Sequence, residues 1–133
     1  MVEMTEHELL AECLKSLTPL VESNGGVVIK HADASTAGIP DVSVTVNGRT
    51  SWWEFKHANP RVKGTELQRL TARRLANAGI CWYVVYQTLP SGTTTHLVRP
   101  SAVGVNGHFQ SDHSHAGIDH RFVVNFILER HAA

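Results

Sequence analysis

The chain predicts an α/β fold of 133 residues, a mixed central sheet flanked by helices and built in the order α-β-β-β-α-β. Three observations carry that reading. Thr5 with Glu8, and Thr65 with Gln68, are two capping boxes, each opening a stretch of helically spaced apolar residues. Between them, Asn47-Gly48 joins alternating valines to an aromatic run, the signature of a β-hairpin with a two-residue loop. After the second helix, Ile80 to Tyr86 is apolar throughout, as befits a strand covered on both faces.

The first helix runs from Thr5 to about Leu17 or Val21, with Pro19 disturbing its end. Leu10, Cys13, Leu14 and Leu17 form one stripe, and Glu6 falls near its centre line. An acid there either favours the positive end of the helix dipole or is paired by a neighbour. Gly25-Gly26 turns the chain into a short strand, Val27 to Lys30. A small polar loop, residues 31–37, follows.

The hairpin sets Val46 opposite Arg49, and stepping back along both strands places Asp41 opposite Glu54. Directly opposed residues share a face, with Cβ atoms about 5 Å apart. Lys56, two residues beyond Glu54, shares that face. Opposed carboxylates repel unless a cation lies between them, and a hard divalent ion is the obvious candidate.

The second helix begins at Thr65, carries Leu67, Leu70, Thr71, Arg74 and Ala78 along one side, and ends at Gly79. Arg74 would have to snorkel out of that arc or pair with an acid. Strand, helix, strand predicts a right-handed parallel crossover. Beyond this core (about 5–86) an extension (about 87–133) adds a short strand near Thr95 to Val98, a surface loop over 104–118, and a final helix. Asp119 caps that helix, and Phe122, Val123, Phe126 and Ile127 form its buried side.

Composition predicts one domain with one core: 42% of residues are hydrophobic and 18% charged. No apolar run approaches the roughly 18 residues that span a membrane, and the acidic N-terminus lacks a signal-peptide layout. Cys13 and Cys81 stand alone in apolar runs, as buried thiols of a reducing compartment do, so a cytoplasmic location is expected. The formal net charge is zero, yet residues 49–74 hold seven basic side chains and two acids. That window is either a solvated helix face plus a loop or a phosphate-facing patch, and its adjacency to the hairpin favours the patch.

Gly38-Ile39-Pro40-Asp41, then Trp53-Glu54-Phe55-Lys56, then Gln68 resemble the PD-(D/E)XK nuclease superfamily, in its VRR-NUC and Holliday-junction-resolvase-like branch. The resemblance extends from the first helix to about Tyr86. It implies a restriction-endonuclease-like core and a metal-dependent DNA endonuclease, structure-selective if resolvase-like. Asp41 and Glu54 would bind Mg²⁺ or Mn²⁺, with the backbone carbonyl of Phe55 as an extra ligand and Glu6 completing the acidic shell. Lys56 would orient or deprotonate the attacking water. Gln68 would sit beside the active site, although its capping box is a sufficient structural reason for it. Ser35 and Thr36 lie in a loop that the resemblance puts near DNA, and ordinary loop polarity also accounts for them. Asp33 could offer another oxygen. Arg61, Lys63, Arg69 and Arg73 are expected on the DNA backbone. A resolvase-like enzyme needs two active sites, hence a homodimer, for which the apolar C-terminal helix could supply a surface. By analogy the setting is a bacterial or phage-infected cell.

Other chemistries fare less well. His113, His115, Asp119 and His120 could bind a transition metal, but they lack a zinc-type ligand frame and read as scattered loop histidines. No Gly-x-Ser-x-Gly is present, and Gly25-Gly26 precedes a strand where a phosphate-binding loop needs a helix. Trp52 and Trp53 face opposite sides of their strand: Trp53 is the core residue, and Trp52 either stacks on DNA or packs. The rival of a different class is a DNA-binding or inhibitory module that keeps the fold without cutting. The intact Asp, Glu and Lys argue against it, since a retired site has no reason to keep a repulsive pair.

Overall fold

The computed structural model describes residues 4–31 and 38–132. Helix α1 (Glu6–Ser23) leads to β1 (Val27–Lys30), β2 (Val42–Val46) and β3 (Arg49–Ala58); α2 (Glu66–Ala78) leads to β4 (Ile80–Leu89) and β5 (Gly92–Val98). A 3₁₀ turn (Pro100–Ala102), β6 (His113–Ala116) and α3 (His120–Glu129) follow. The six strands form one sheet in sequence order, with β3–β4 parallel and every other pair antiparallel. Element order and mixed sheet are those expected of a restriction-endonuclease-like core. No helix among the described residues is long and apolar enough to cross a membrane.

Both capping boxes are closed in both directions. The Thr5 N–H donates to Glu8 Oε1 and the Glu8 N–H to Thr5 Oγ1, each at 3.1 Å; Thr65 and Gln68 repeat the pattern. α1 continues through Pro19 to Ser23, further than the expected Leu17 or Val21. The hydrogen bond that proline removes is offset by the burial of Leu17 and Val21 on either side of it. At the hairpin, Asn47 (φ 54°) and Gly48 (φ 73°) take the left-handed conformations of a type I′ turn, and Val46 pairs with Arg49. Hence Val42 pairs with Trp53.

The sheet has a core on each face. α1 and α3 cover Val42, Val44, Val46, Trp53, Phe55, Val84, Tyr86 and Leu97. On the other face α2 covers Cys81, Tyr83 and Val85 through Ala72, Leu75 and Ala76. Cys13 and Cys81 are free and buried, and burial pushes both thiols up to about 12.

Three expectations for the outer elements need correction. The buried side of α2 is not the Leu67–Leu70–Arg74 arc. Leu67 and Leu70 are 45% and 41% exposed, and Arg74 is exposed. Gln68 turns toward Lys56 at the helix start, and positions four, seven and eight residues on (Ala72, Leu75, Ala76) then face the sheet. Their small side chains let the helix approach closely, which apolarity alone does not reveal. Within 104–118 the loop is interrupted by β6, paired with β5; its four residues are all exposed, so no hydrophobic alternation marks it. In α3, Val124 is buried with Val123, Phe126 and Ile127, while Phe122 is half-buried. These side chains belong to the chain's own core, so the helix expected to offer a dimer surface has its apolar side engaged.

A buried polar network ties the end of α3 to the hairpin. His131 is 2% exposed, with Nε2 2.7 Å from Ser51 Oγ and Nδ1 3.3 Å from the Val46 carbonyl. Trp53 Nε1 donates to the same hydroxyl at 2.7 Å. Neutral His131 protonated on Nδ1 satisfies every group: Nδ1–H donates to Val46, Ser51 donates to Nε2, and Trp53 donates to Ser51. Asn47 and Arg49 add side-chain bonds to the carbonyls of His131 and Ala132.

Candidate active site

The site forms where β3 outruns β2. Pairing between them ends at Val42–Trp53, and β3 continues to Ala58 beside β4. Asp41, one residue before β2, lies opposite Glu54 in that register. The approach to Asp41 is tight. Gly38 (φ +67°) lies so close to the first turn of α2 that a Cβ would meet the Leu67 backbone at 2.8 Å, which selects glycine twice over.

Asp41 and Glu54 meet through backbone donors. The Asp41 N–H donates to Glu54 Oε1 at 3.1 Å, and the Phe55 N–H donates to Asp41 Oδ2 at 2.8 Å. Lys56 Nζ lies 3.4 Å from Glu54 Oε2 and donates to Gln68 Oε1, also at 3.4 Å. Glu54 is 3% and Lys56 7% exposed, so these two charges are withdrawn from water, whereas Asp41 is half-buried. Burial pushes Glu54 up to about 8; the Asp41 charge pushes the same way and Lys56 partly opposes it. The shift favours the protonated form of this acid.

The donor set fits a hard divalent cation. On a strand the N–H and C=O of one residue point to the same edge, so the Phe55 carbonyl faces the edge where its N–H meets Asp41. Asp41, Glu54 and this carbonyl offer oxygen donors only. Mg²⁺ and similar ions are commonly held by one or two carboxylates plus water and phosphate oxygens. Among the described residues, no three His, Cys, Asp or Glu side chains gather into a metal-binding group. Glu6 stands apart from the pair: its Oε2 accepts from the His57 N–H at 2.9 Å, further along the same edge of β3.

Gln68 Oε1 accepts from the Thr65 N–H at 3.1 Å, closing the capping box, and also from Lys56. Arg61 and Lys63 are exposed in the loop after β3, which is anchored by Val62 N–H donating to the Gly107 carbonyl at 3.0 Å. Arg69 donates to the Gly64 carbonyl and Arg73 to the Val103 carbonyl, each at 3.1 Å. Ser35, Asp33 and Thr36 lie outside the described residues. The histidine group gathers only in part: His115 Nδ1 lies 2.7 Å from Asp119 Oδ2 and its ring stacks on Phe122, whereas His113 packs on Trp82 and Phe126 and His120 Nδ1 meets Tyr86 OH at 3.0 Å. His31 is the neighbour that motif reading missed. Its N–H donates to the Asp41 carbonyl at 2.8 Å, and only the strand register could have marked it.

Fold and site together define a class: a mixed α/β sheet whose central strand carries paired carboxylates and a buried amine where its neighbour stops. No family model and no curated protein matches the chain. Among solved structures it is similar to Archaeoglobus fulgidus Hjc, a Holliday junction resolvase from an archaeal hyperthermophile. The TM-score is 0.47 and the identity 10%, over 87% of this chain and 96% of that one. At that depth nothing about activity follows from the likeness.

Proposed function

We propose that the chain is a metal-dependent endonuclease that hydrolyses DNA phosphodiester bonds, with a resolvase-like preference for branched structure. The observation that supports it is the pairing of Asp41 with a buried Glu54, with Lys56 on the same face. Setting a second carboxylate against a buried acid costs stability. Asp41, Glu54 and the Phe55 carbonyl would hold Mg²⁺ or Mn²⁺, which when bound lowers the pKa of a water and neutralises phosphate charge. An ammonium carries three donors; Glu54 and Gln68 take two of Lys56's and leave one for the attacking water or a phosphate oxygen. Lys56 thus orients the nucleophile and offsets charge developing on the phosphoryl group. Arg61 and Lys63, exposed on the α2 side, would contact the backbone, with Arg69 and Arg73 behind them. Binding of this kind depends strongly on salt and little on sequence. Supercoiled plasmid, branched and single-stranded DNA, each incubated with Mg²⁺, with Mn²⁺ and with chelator, form the test. Metal-dependent strand scission is expected, and its absence from every substrate would refute the reading.

A second reading, a DNA-binding or inhibitory module that does not cut, has one observation in its favour. Both Glu54 oxygens already have partners inside the protein, and among the described residues no third acidic side chain joins the pair. The same panel separates the two: binding without scission is its outcome.

A further inference from the structure

We propose that Trp52, backed by His31, stacks on an unpaired base of the DNA strand held at the Asp41–Glu54 centre; the location of that strand rests on the nuclease reading. The β1–β2–β3 register places Val27, Ile29, Ser43, Thr45, Thr50, Trp52 and Glu54 on one face of the sheet. α2 covers that face only over β3 and β4. Toward β1 it is open, with Val27 53% and Ile29 50% exposed and Thr45 and Thr50 exposed beside them. At the border of this open half the His31 and Trp52 rings stack at 5.3 Å and 27°, while Trp52 also packs against the cluster of Cys81, Tyr83 and Val85 under α2.

The stack is built into the site. His31 Nε2 meets Ser43 Oγ at 2.9 Å, and the His31 N–H holds the Asp41 carbonyl. Trp52 precedes Glu54 by two residues on the same face, about 7 Å along the strand. Trp53 shows what a packing tryptophan looks like here: fully buried, with its indole N–H given to Ser51. Trp52 differs in both respects. It is half-buried, and its indole N–H has no hydrogen-bond partner among the described residues, nor is it a buried unpaired atom. That group therefore meets solvent.

A flat ring with an accessible N–H, bordered by the exposed Val27, Ile29, Thr45 and Thr50, suits a heterocyclic base better than a phosphate. In a continuous duplex each base is sandwiched by its neighbours, so the platform selects bases freed at breaks, branches or single strands.

The test uses the full chain in chelator, where metal-dependent cleavage is stopped. Fluorescence anisotropy compares an oligothymidylate with a blunt-ended, fully paired duplex. Trp52→Leu is expected to weaken oligothymidylate binding about ten-fold with little effect on the duplex, and Trp52→Phe to restore most of it. Equal losses on both probes, or none on either, overturn the proposal. Should Trp52→Leu fail to fold, photocrosslinking of the unsubstituted chain to a 5-iodouracil oligonucleotide decides: an adduct on Trp52 or His31 supports it, adducts only elsewhere overturn it. The two readings fail separately. A chain that cuts nothing but crosslinks at Trp52 loses the nuclease assignment alone, and one that cuts yet ignores Trp52→Leu loses only the platform.

Discussion

Asp41 and Glu54 hold one another through backbone amides: the amide of Asp41 donates to the Glu54 carboxylate, and the amide after Glu54 donates to the Asp41 carboxylate. The pair is thereby set in place by the backbone itself, and burial, with the Asp41 charge beside it, pushes the Glu54 carboxyl up to about 8.

Asp41→Ala, Glu54→Ala and Lys56→Ala should each lower metal-dependent cleavage by at least about 10² while circular dichroism stays native. Cleavage at the unsubstituted rate by any one of them would remove that residue from the site.

Without metal, the Glu54 carboxyl titrates at about 8 in the fold against 4.5 ordinarily. A raised pKa favours folding most below 4.5, and that contribution disappears as pH rises through 8. In chelator, the melting temperature of the unsubstituted chain should therefore fall across this window, and that of Glu54→Gln should stay flatter. Mg²⁺ or Mn²⁺ should restore stability at the alkaline end, since a ligand that binds only the folded state stabilises it. Parallel curves for the two chains in chelator would contradict the assignment.

Gln68 both caps α2 and accepts from Lys56, and substitution can part the two roles. Thr65→Ala removes the hydroxyl cap alone and should cost about 1 kcal/mol of stability with cleavage nearly intact. Gln68→Ala should lose stability and activity together. Equal activity in both variants would make Gln68 a cap only.

Arg61 and Lys63 are exposed, whereas Arg73 is tied to the Val103 carbonyl. Arg61→Ala or Lys63→Ala should weaken DNA binding evenly across sequences and reduce the slope of log K against log salt by about 1, at unchanged melting temperature. Arg73→Ala should lower the melting temperature as well. An unchanged salt slope in the first two would put the DNA elsewhere.

Burial holds His131 below its ordinary 6.5, and the charged ring would compete with Trp53 for Ser51. For a lowered pKa the stabilising contribution is complete above 6.5 and is lost as pH falls through the folded value. His131→Ala should cost roughly 1–3 kcal/mol at neutral pH and flatten the acid limb of stability, as read by urea melts at several pH values.

Much of this molecule was legible in the order of its residues, because local rules set it. Capping boxes mark where α1 and α2 start, and a two-residue loop with an Asn-Gly pair allows one register, which puts Asp41 opposite Glu54. Alternation then assigns Trp53 to the core and Lys56 to the acids' face. Other features depend on what lies across space. The rotation of α2 follows from Gln68 meeting Lys56, so Ala72 and Ala76 are covered while the more apolar Leu67 and Leu70 are not. β6 has no hydrophobic pattern and exists because the β5 edge was there to pair. His131 reaches Ser51 across 80 positions of chain, and the raised pKa of Glu54 arises from burial under a helix that its own strand does not encode. Periodicity reports which side of an element is apolar; which side is covered, and which charges lose their water, is decided only when the elements pack.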